Sequence, residues 1–150
     1  MKYIFAFPEK CTGCRECSNA CSVKKFGESN PKRGAIQVIR DEFKRYEVPF
    51  VCLQCENPEC VAVCGKKALR RDGNVVKLDE EKCIGCRMCV IACPYGAISF
   101  FNGKIIKCDL CDGDPTCVKF CSTNAIVYGE ETTEIYKRRK ELAEKVIRKN

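Results

Sequence analysis

Sixteen cysteines fall into four groups of four along this 150-residue chain, and none is left over. The groups are Cys11, Cys14, Cys17, Cys21; then Cys52, Cys55, Cys60, Cys64; then Cys83, Cys86, Cys89, Cys93; and finally Cys108, Cys111, Cys117, Cys121. At this density either disulfides or metal must hold the fold together. Disulfides fit poorly. Cysteines two residues apart in clusters of three lack the opposed Cβ vectors that a disulfide needs. The opening "MKYIFAFPEK" is also too short for a secretory signal. Metal is the better explanation, and a reducing, oxygen-poor cytoplasm is the expected compartment for so many thiolates.

The first and third groups read C-x2-C-x2-C-x3-C. Three thiolates on a tight loop can each meet one corner iron of a [4Fe–4S] cubane, and the fourth corner then needs a ligand from elsewhere. In the runs of bacterial two-cluster ferredoxins that ligand is the fourth cysteine of the other run. Zinc favours two separated pairs around one tetrahedral ion. The second group, C-x2-C-x4-C-x3-C, and the fourth, C-x2-C-x5-C-x3-C, differ from the run only in the middle gap. A zinc reading of those two would leave Cys21 and Cys93 without reciprocal partners. The expectation is therefore four cubanes, with a zinc-stabilised interaction or nucleic-acid module as the remote alternative. Only Cys93 is followed by proline (Pro94); Ser22, Gly65 and Ser122 stand in the other three places. The missing prolines should affect loop rigidity more than ligation.

The formal net charge is +7, from 27 Lys and Arg against 20 Asp and Glu. Each cubane with four thiolates carries roughly −2, so four would carry roughly −8 and bring the loaded protein to about −1. The basic excess thus reads as neutralisation of clusters, and nucleic-acid binding is not expected. No stretch approaches a membrane span, so no membrane insertion of this chain is expected. Abundant Lys and Glu with two Met and no His or Trp fit a thermophile, and fit a lysine-rich anaerobe equally well. There is no His, no nucleophile–base constellation and no phosphate-cradling loop, which points to a carrier of electrons and not a catalyst.

Strand-like runs alternate with the cysteine loops: Tyr3 to Phe7, Ala35 to Arg40, Val48 to Val51, and two hairpins. One hairpin turns at Asp72-Gly73-Asn74, the other at Asn102-Gly103. After each group the chain starts small or polar and turns apolar, as in "CPYGAISF" and "CSTNAIVY". This is a four-fold repeat of cysteine loop plus short strand. The second and third groups enclose one hairpin, the layout of a two-cluster unit, with the first and fourth groups outside it. The expected architecture is α+β: an inner unit over about 48–101 nested within an outer unit from 1–40 and 102–130, then a basic C-terminal helix or tail over 131–150. Thr132 or Thr133 can cap that helix, and Ile135, Leu142, Val146 and Ile147 give it a partial apolar stripe.

Asp109, Asp112 and Asp114 are expected to shape the fourth loop, and Tyr95, Phe100 and Phe101 to pack the second hairpin. Lys66, Lys67, Arg70 and Arg71 could equally be a solvated face or a steering patch for an acidic partner.

The four-group order with widened second and fourth loops resembles the four-cluster ferredoxin subunits of molybdenum and tungsten oxidoreductases, hydrogenases, carbon monoxide dehydrogenases and formate dehydrogenases. The resemblance covers roughly residues 1 to 130. "KKFGESNPKRGAIQVI", "CIGCRMCVIACPYGAISF" and "IKCDLCDGDPTCVKFC" look most like the small subunit of tungsten-containing aldehyde oxidoreductases. What the resemblance implies is a nested pairing. Cys11, Cys14, Cys17 and Cys121 would hold one cluster, and Cys21, Cys108, Cys111 and Cys117 the next. Cys52, Cys55, Cys60 and Cys93 would hold the third, and Cys64, Cys83, Cys86 and Cys89 the fourth, in a roughly linear wire. It further implies a large tungstopterin (or molybdopterin) catalytic partner and ferredoxin or a similar acceptor.

Overall fold

The structure, a computed structural model, describes residues 1–147. Eight short strands pair only in twos, all antiparallel. β1 (Lys2–Ala6) pairs with β8 (Ile126–Glu130), Ile4 facing Tyr128, so the first strand joins the last. β2 (Ile36–Asp41) pairs with β3 (Tyr46–Val51), β4 (Leu69–Asp72) with β5 (Val75–Leu78), and β6 (Ser99–Phe101) with β7 (Lys104–Ile106). Both hairpins expected from the sequence form. Gly73 (φ +60°) lies in one turn, and Asn102 (φ +47°) and Gly103 (φ +78°) make the left-handed two-residue turn of the other. The strands read from the sequence are present with ends shifted by a residue or two.

Two-stranded ribbons are marginal alone, so each leans on a core that includes cysteines. One core gathers Ile4, Ile36, Ile106, Leu110 and Ile126 around Cys17, Cys21, Cys108 and Cys117. A second gathers Leu69, Val76, Ile98 and Ile105 around Cys60 and Cys89.

The sequence reading contained no helices within the cysteine groups, yet each group carries one. They are α1 (Glu16–Phe26), α2 (Glu59–Ala62), α3 (Met88–Ala92) and α4 (Thr116–Lys119). Each holds the third cysteine of its group in its first turn, and Cys17, Cys60, Cys89 and Cys117 are all buried there. α1 alone runs on past the last cysteine of its group. The helix runs through Ser22 to Phe26 and ends at Gly27, whose φ of +70° and N–H to the Val23 carbonyl close it. In the third group Pro94 follows Cys93 directly, and α3 stops at Ala92. The second and fourth groups lack that proline too, yet α2 and α4 also stop before their last cysteine, so proline alone does not set helix length.

A C-terminal helix, α5 (Thr133–Ile147), is present, and the Thr132 hydroxyl accepts the Ile135 N–H at its start. Leu142 packs beside Val48 and Phe50, and Arg138 sits over Phe7 and pairs with Glu9. Residues 148–150 of the expected basic segment lie outside the described residues.

The return from α1 to β2 is the tightest approach in the fold. The Ser18 hydroxyl donates to the Ile36 carbonyl at 2.8 Å, and a Cβ on Gly34 would meet the Ser18 carbonyl oxygen at 2.6 Å. Gly34→Ala should destabilise the protein by about 1–3 kcal/mol, the usual cost of forced overpacking. Gly65→Ala, where a Cβ meets nothing within 4 Å, should be nearly neutral. Anaerobic denaturant unfolding of both variants measures this.

Candidate metal centre

Each cysteine loop repeats one backbone plan. The residue before the second cysteine is left-handed in all four: Gly13 (φ +73°), Gln54 (φ +54°), Gly85 (φ +69°) and Leu110 (φ +58°). Glycine adopts this freely, whereas Gln54 and Leu110 are strained there. Both are held by burial, at 2% and 1% exposed. After the last cysteine the plan repeats again. The N–H groups of Ala35, Ala68, Ala97 and Ala125 donate to the sulfurs of Cys21, Cys64, Cys93 and Cys121 at 3.2, 3.3, 3.4 and 3.2 Å. In the last three loops a left-handed Lys67, Gly96 or Asn124 precedes the alanine and closes a turn onto the cysteine carbonyl.

All sixteen cysteines are free thiols. Cys11, Cys14, Cys17 and Cys121 line one hollow, and Cys64, Cys83, Cys86 and Cys89 line another. The remaining thiols are brought together electrically. Burial pushes Cys55 and Cys60 up, Cys60 to about 11, and charge on Cys52 and Cys93 pushes them further. Burial likewise raises Cys117, helped by Cys108, Cys21 and Cys111. Charge also acts across the loops, since Cys17 raises Cys117 and Cys52 raises Cys108. The described residues contain no group of three or more His, Cys, Asp or Glu that could hold a single metal ion. A mononuclear zinc site needs four sulfurs at about 2.3 Å from one centre, a tighter cage than the corners of a cubane. The donor set fits iron–sulfur chemistry: soft thiolates in fours, with backbone N–H groups aimed at sulfur.

The polar residues around these sulfurs separate into two kinds. Asp109 accepts the Cys111 N–H at 3.0 Å and pairs with Lys25 at 2.7 Å, while Asp112 pairs with Lys77 and Asp114 with Lys119. Asp109 shapes the loop, as expected, whereas Asp112 and Asp114 make exposed ion pairs. Lys66, Lys67 and Arg70 are exposed, but Arg71 donates to the Gln54 and Cys55 carbonyls and braces the second loop. Phe101 packs against the first core, and Phe100 lies under Arg87. Three inward-facing residues were missed. Lys25 lies near Cys21 and Cys108, Gln54 bonds the Cys108 carbonyl at 2.9 Å, and Lys107 reaches Cys52. Only the place of Lys107 directly before Cys108 could have signalled it.

A family model described as a 4Fe-4S dicluster domain matches residues 43–131, and a second of the same description matches 10–69. The chain belongs to the 4Fe-4S dicluster family. With sixteen cysteines and two dicluster matches, this dicluster protein carries four [4Fe–4S] clusters. It is 40% identical over 123 residues to the polyferredoxin-like subunit of an aliphatic sulfonate oxidoreductase from Pyrococcus furiosus, covering 79% of this chain and 70% of that one. It is 39% identical over 126 residues to the beta subunit of NADH-dependent phenylglyoxylate dehydrogenase from Aromatoleum evansii. That match takes in 79% of this chain and spans only 28% of the relative. The electron transport protein HydN of Escherichia coli is 32% identical over 84% of this chain and 86% of its own length. Among solved structures, a chain of the active site complex BamBC of benzoyl coenzyme A reductase with zinc superposes with a TM-score of 0.51. It is 25% identical, over 98% of this chain and 92% of that one. The dicluster protein is thus an electron-transfer protein of the kind found as subunits of oxidoreductases. No helix among its described residues is long and apolar enough to cross a membrane.

Burial raises the thiols of Cys17 and Cys60 to about 11 and Cys108 to about 12, against an ordinary value of 9.0. In iron-free protein these groups favour folding while they stay protonated. That contribution is complete below about pH 9 and is lost as pH rises from there through about 12. The denaturation midpoint of reduced, iron-free protein should therefore fall steadily from pH 8 to 10.5. A flat profile over that window would contradict the burial.

Proposed function

We propose that this chain is the electron-relay subunit of an oxidoreductase complex, passing single electrons between a large catalytic subunit and a soluble acceptor such as ferredoxin. The observations that carry the reading are the two hollows each lined by four cysteines and the electrostatic effects among the remaining thiols. On this reading Cys11, Cys14, Cys17 and Cys121 hold the first cluster, and Cys21, Cys108, Cys111 and Cys117 the second. Cys52, Cys55, Cys60 and Cys93 hold the third, and Cys64, Cys83, Cys86 and Cys89 the fourth. The shared hollows and the mutual electrostatic effects above support these sets. So does the electrostatic effect of Cys17 on Cys117 and of Cys52 on Cys108. The inner unit over about 48–101 then supplies the third and fourth clusters. The outer unit, 1–40 with 102–130, supplies the first two, closed by the β1–β8 ladder.

When bound, each cluster accepts and releases one electron without proton or group transfer. The residues set the spacing, the dryness and the hydrogen bonds. The alanine N–H groups ease negative charge on sulfur, and the isoleucines at positions 36, 106 and 126 keep water from the middle of the row. Cys14 and Cys86 are exposed and belong to opposite ends of the row, so electrons enter and leave there. The chain performs no bond chemistry itself, and a reducing cytoplasm suits its thiolates.

The partner we favour is a tungsten (or molybdenum) pterin subunit that oxidises aldehydes, docked at the Cys11 end. A relative carries a polyferredoxin-like name in a sulfonate oxidoreductase, which supports the subunit role and widens the range of substrates. Co-purification with metal analysis of the large partner separates these readings. Tungsten supports ours, and nickel would turn it to a hydrogenase or carbon monoxide dehydrogenase.

Anaerobically purified protein should contain about sixteen irons, from four clusters of four, and bleach on reduction. Zinc without iron would refute the reading. Cys117→Ser and Cys121→Ser, four positions apart on one loop, should alter different electron paramagnetic resonance (EPR) signals. Cys121→Ser should perturb the same signal as Cys11→Ser. If both loop variants change one common signal, the nested pairing is wrong.

A further inference from the structure

Lys107 is 4% exposed, the most deeply buried cation among the described residues. Its Nζ donates to the Cys108 carbonyl at 2.9 Å, to the Cys52 sulfur at 3.2 Å and to the Gln54 Oε1 at 3.4 Å, which uses all three N–H groups. Gln54 is committed as well. Its Nε2 donates to the same Cys108 carbonyl at 2.9 Å, and its Oε1 also accepts the Val76 N–H at 2.9 Å. The nearby carboxylate, Asp109, is taken by Lys25. Two of the three acceptors of Lys107 are therefore neutral carbonyl oxygens. The third is the sulfur of Cys52, so the burial of a whole positive charge is compensated by sulfur.

The position matters as much as the contact. On the relay reading above, Cys52 and Cys108 belong to different sets, and Cys52 packs against the core that holds Cys108. The ammonium stands at that junction, in the middle of the row and away from water. An electron arriving there makes an already negative site more negative in a dry medium, which is unfavourable unless a fixed cation is close. Hydrogen bonds to sulfur and net charge are the protein's levers on a cluster's reduction potential.

We propose that Lys107 is a positioning residue for the electron, its fixed positive charge holding up the reduction potential of the cluster bound by Cys52, Cys55, Cys60 and Cys93 so that charge crosses the middle of the relay. The proposal rests on the relay reading above and adds a residue that is not itself a ligand. Uptake of one electron needs no proton here, because the charge that balances it is already in place.

The test is an EPR-monitored redox titration of the whole, iron-loaded chain with dithionite, comparing wild type with Lys107→Met, Lys107→Gln and Lys107→Arg. Cys55→Ser assigns the signal of the third cluster. In the Met and Gln variants that signal should require at least a tenfold stronger reducing poise, about 59 mV for a one-electron couple. The Arg variant should stay within threefold of wild type, and the signals of the Cys11 and Cys83 sets should not move. Neutral variants that load four clusters with unshifted signals would overturn the proposal, as would an equal shift of all four signals. Loss of iron from both neutral variants while Lys107→Arg loads normally would make Lys107 an assembly residue and overturn it too. Wild-type protein that holds no iron would instead defeat the relay reading.

Discussion

The N–H groups of Ala35, Ala68, Ala97 and Ala125, each aimed at the sulfur of the last cysteine of a group, tie the two halves of this molecule's stability together. One side of that peptide faces the metal-binding sulfur. The next residue, Ile36, Leu69, Ile98 or Ile126, turns into a core and is buried in every case. A larger side chain than alanine would crowd the approach of backbone to sulfur, and a polar residue after it would empty the core. The same peptide therefore registers the strand against the thiol. With ribbons of only two strands, no sheet is stable by itself, and iron adds to the modest stability of the iron-free chain. Burial raises the pKa of most of the thiols that face inward, and cluster formation must expel those protons. Loading and folding are in this way one coupled process.

Much of this was legible in the sequence because it rests on residues with few alternatives. Cysteine spacing marked the four loops, and Asn102-Gly103 and Gly73-Asn74 marked turns that glycine and asparagine adopt easily. The short helices were not legible. α2 and α4 are four residues long, too short for a periodic pattern, and they form because a cysteine loop must turn back to present its third thiol. α1 alone continues through its last cysteine to Gly27, which the shared spacing of the groups does not mark. Gln54 and Leu110 hide their left-handed backbone behind ordinary side chains, though their alignment with Gly13 and Gly85 in the repeat would have exposed it. The knot of Gln54 and Lys107 was invisible for a different reason. Its members are 53 positions apart and meet only when the second and fourth groups are brought side by side.

The charge reading needed the structure to become specific. A formal excess of +7 says that cations could neutralise clusters, yet many cations are spent elsewhere. Lys77 answers Asp72 and Asp112, Lys119 answers Asp114, and Arg138 answers Glu9, all at the surface, where such pairs contribute little. Lys25 and Lys107 are different. Lys25 lies near Cys21 and Cys108, Lys107 reaches Cys52 and the Cys108 carbonyl, and both lie where water is scarce. In the relay proposed above, compensation is thus concentrated in the middle of the row and is not spread evenly over the chain.

That concentration follows from the gradient of exposure along the row. At the ends, Cys14 and Cys86 are open, and Ile84, Met88 and Ile91 stand exposed around the third loop. Water, or an apolar partner surface closing over it, can adjust there as charge arrives. In the middle Cys108 and Cys117 are buried among Ile106, Leu110 and Ile126, and nothing can reorganise around an added electron. A relay with a dry centre and no fixed cations would place its highest barrier where solvent cannot lower it. Lys25 with Asp109 supplies a paired charge on one side of the centre, and Lys107 supplies a charge whose one anionic neighbour is a cysteine sulfur on the other. The two lysines do for the buried sets what solvent does for the exposed ones, and they do it before the electron arrives.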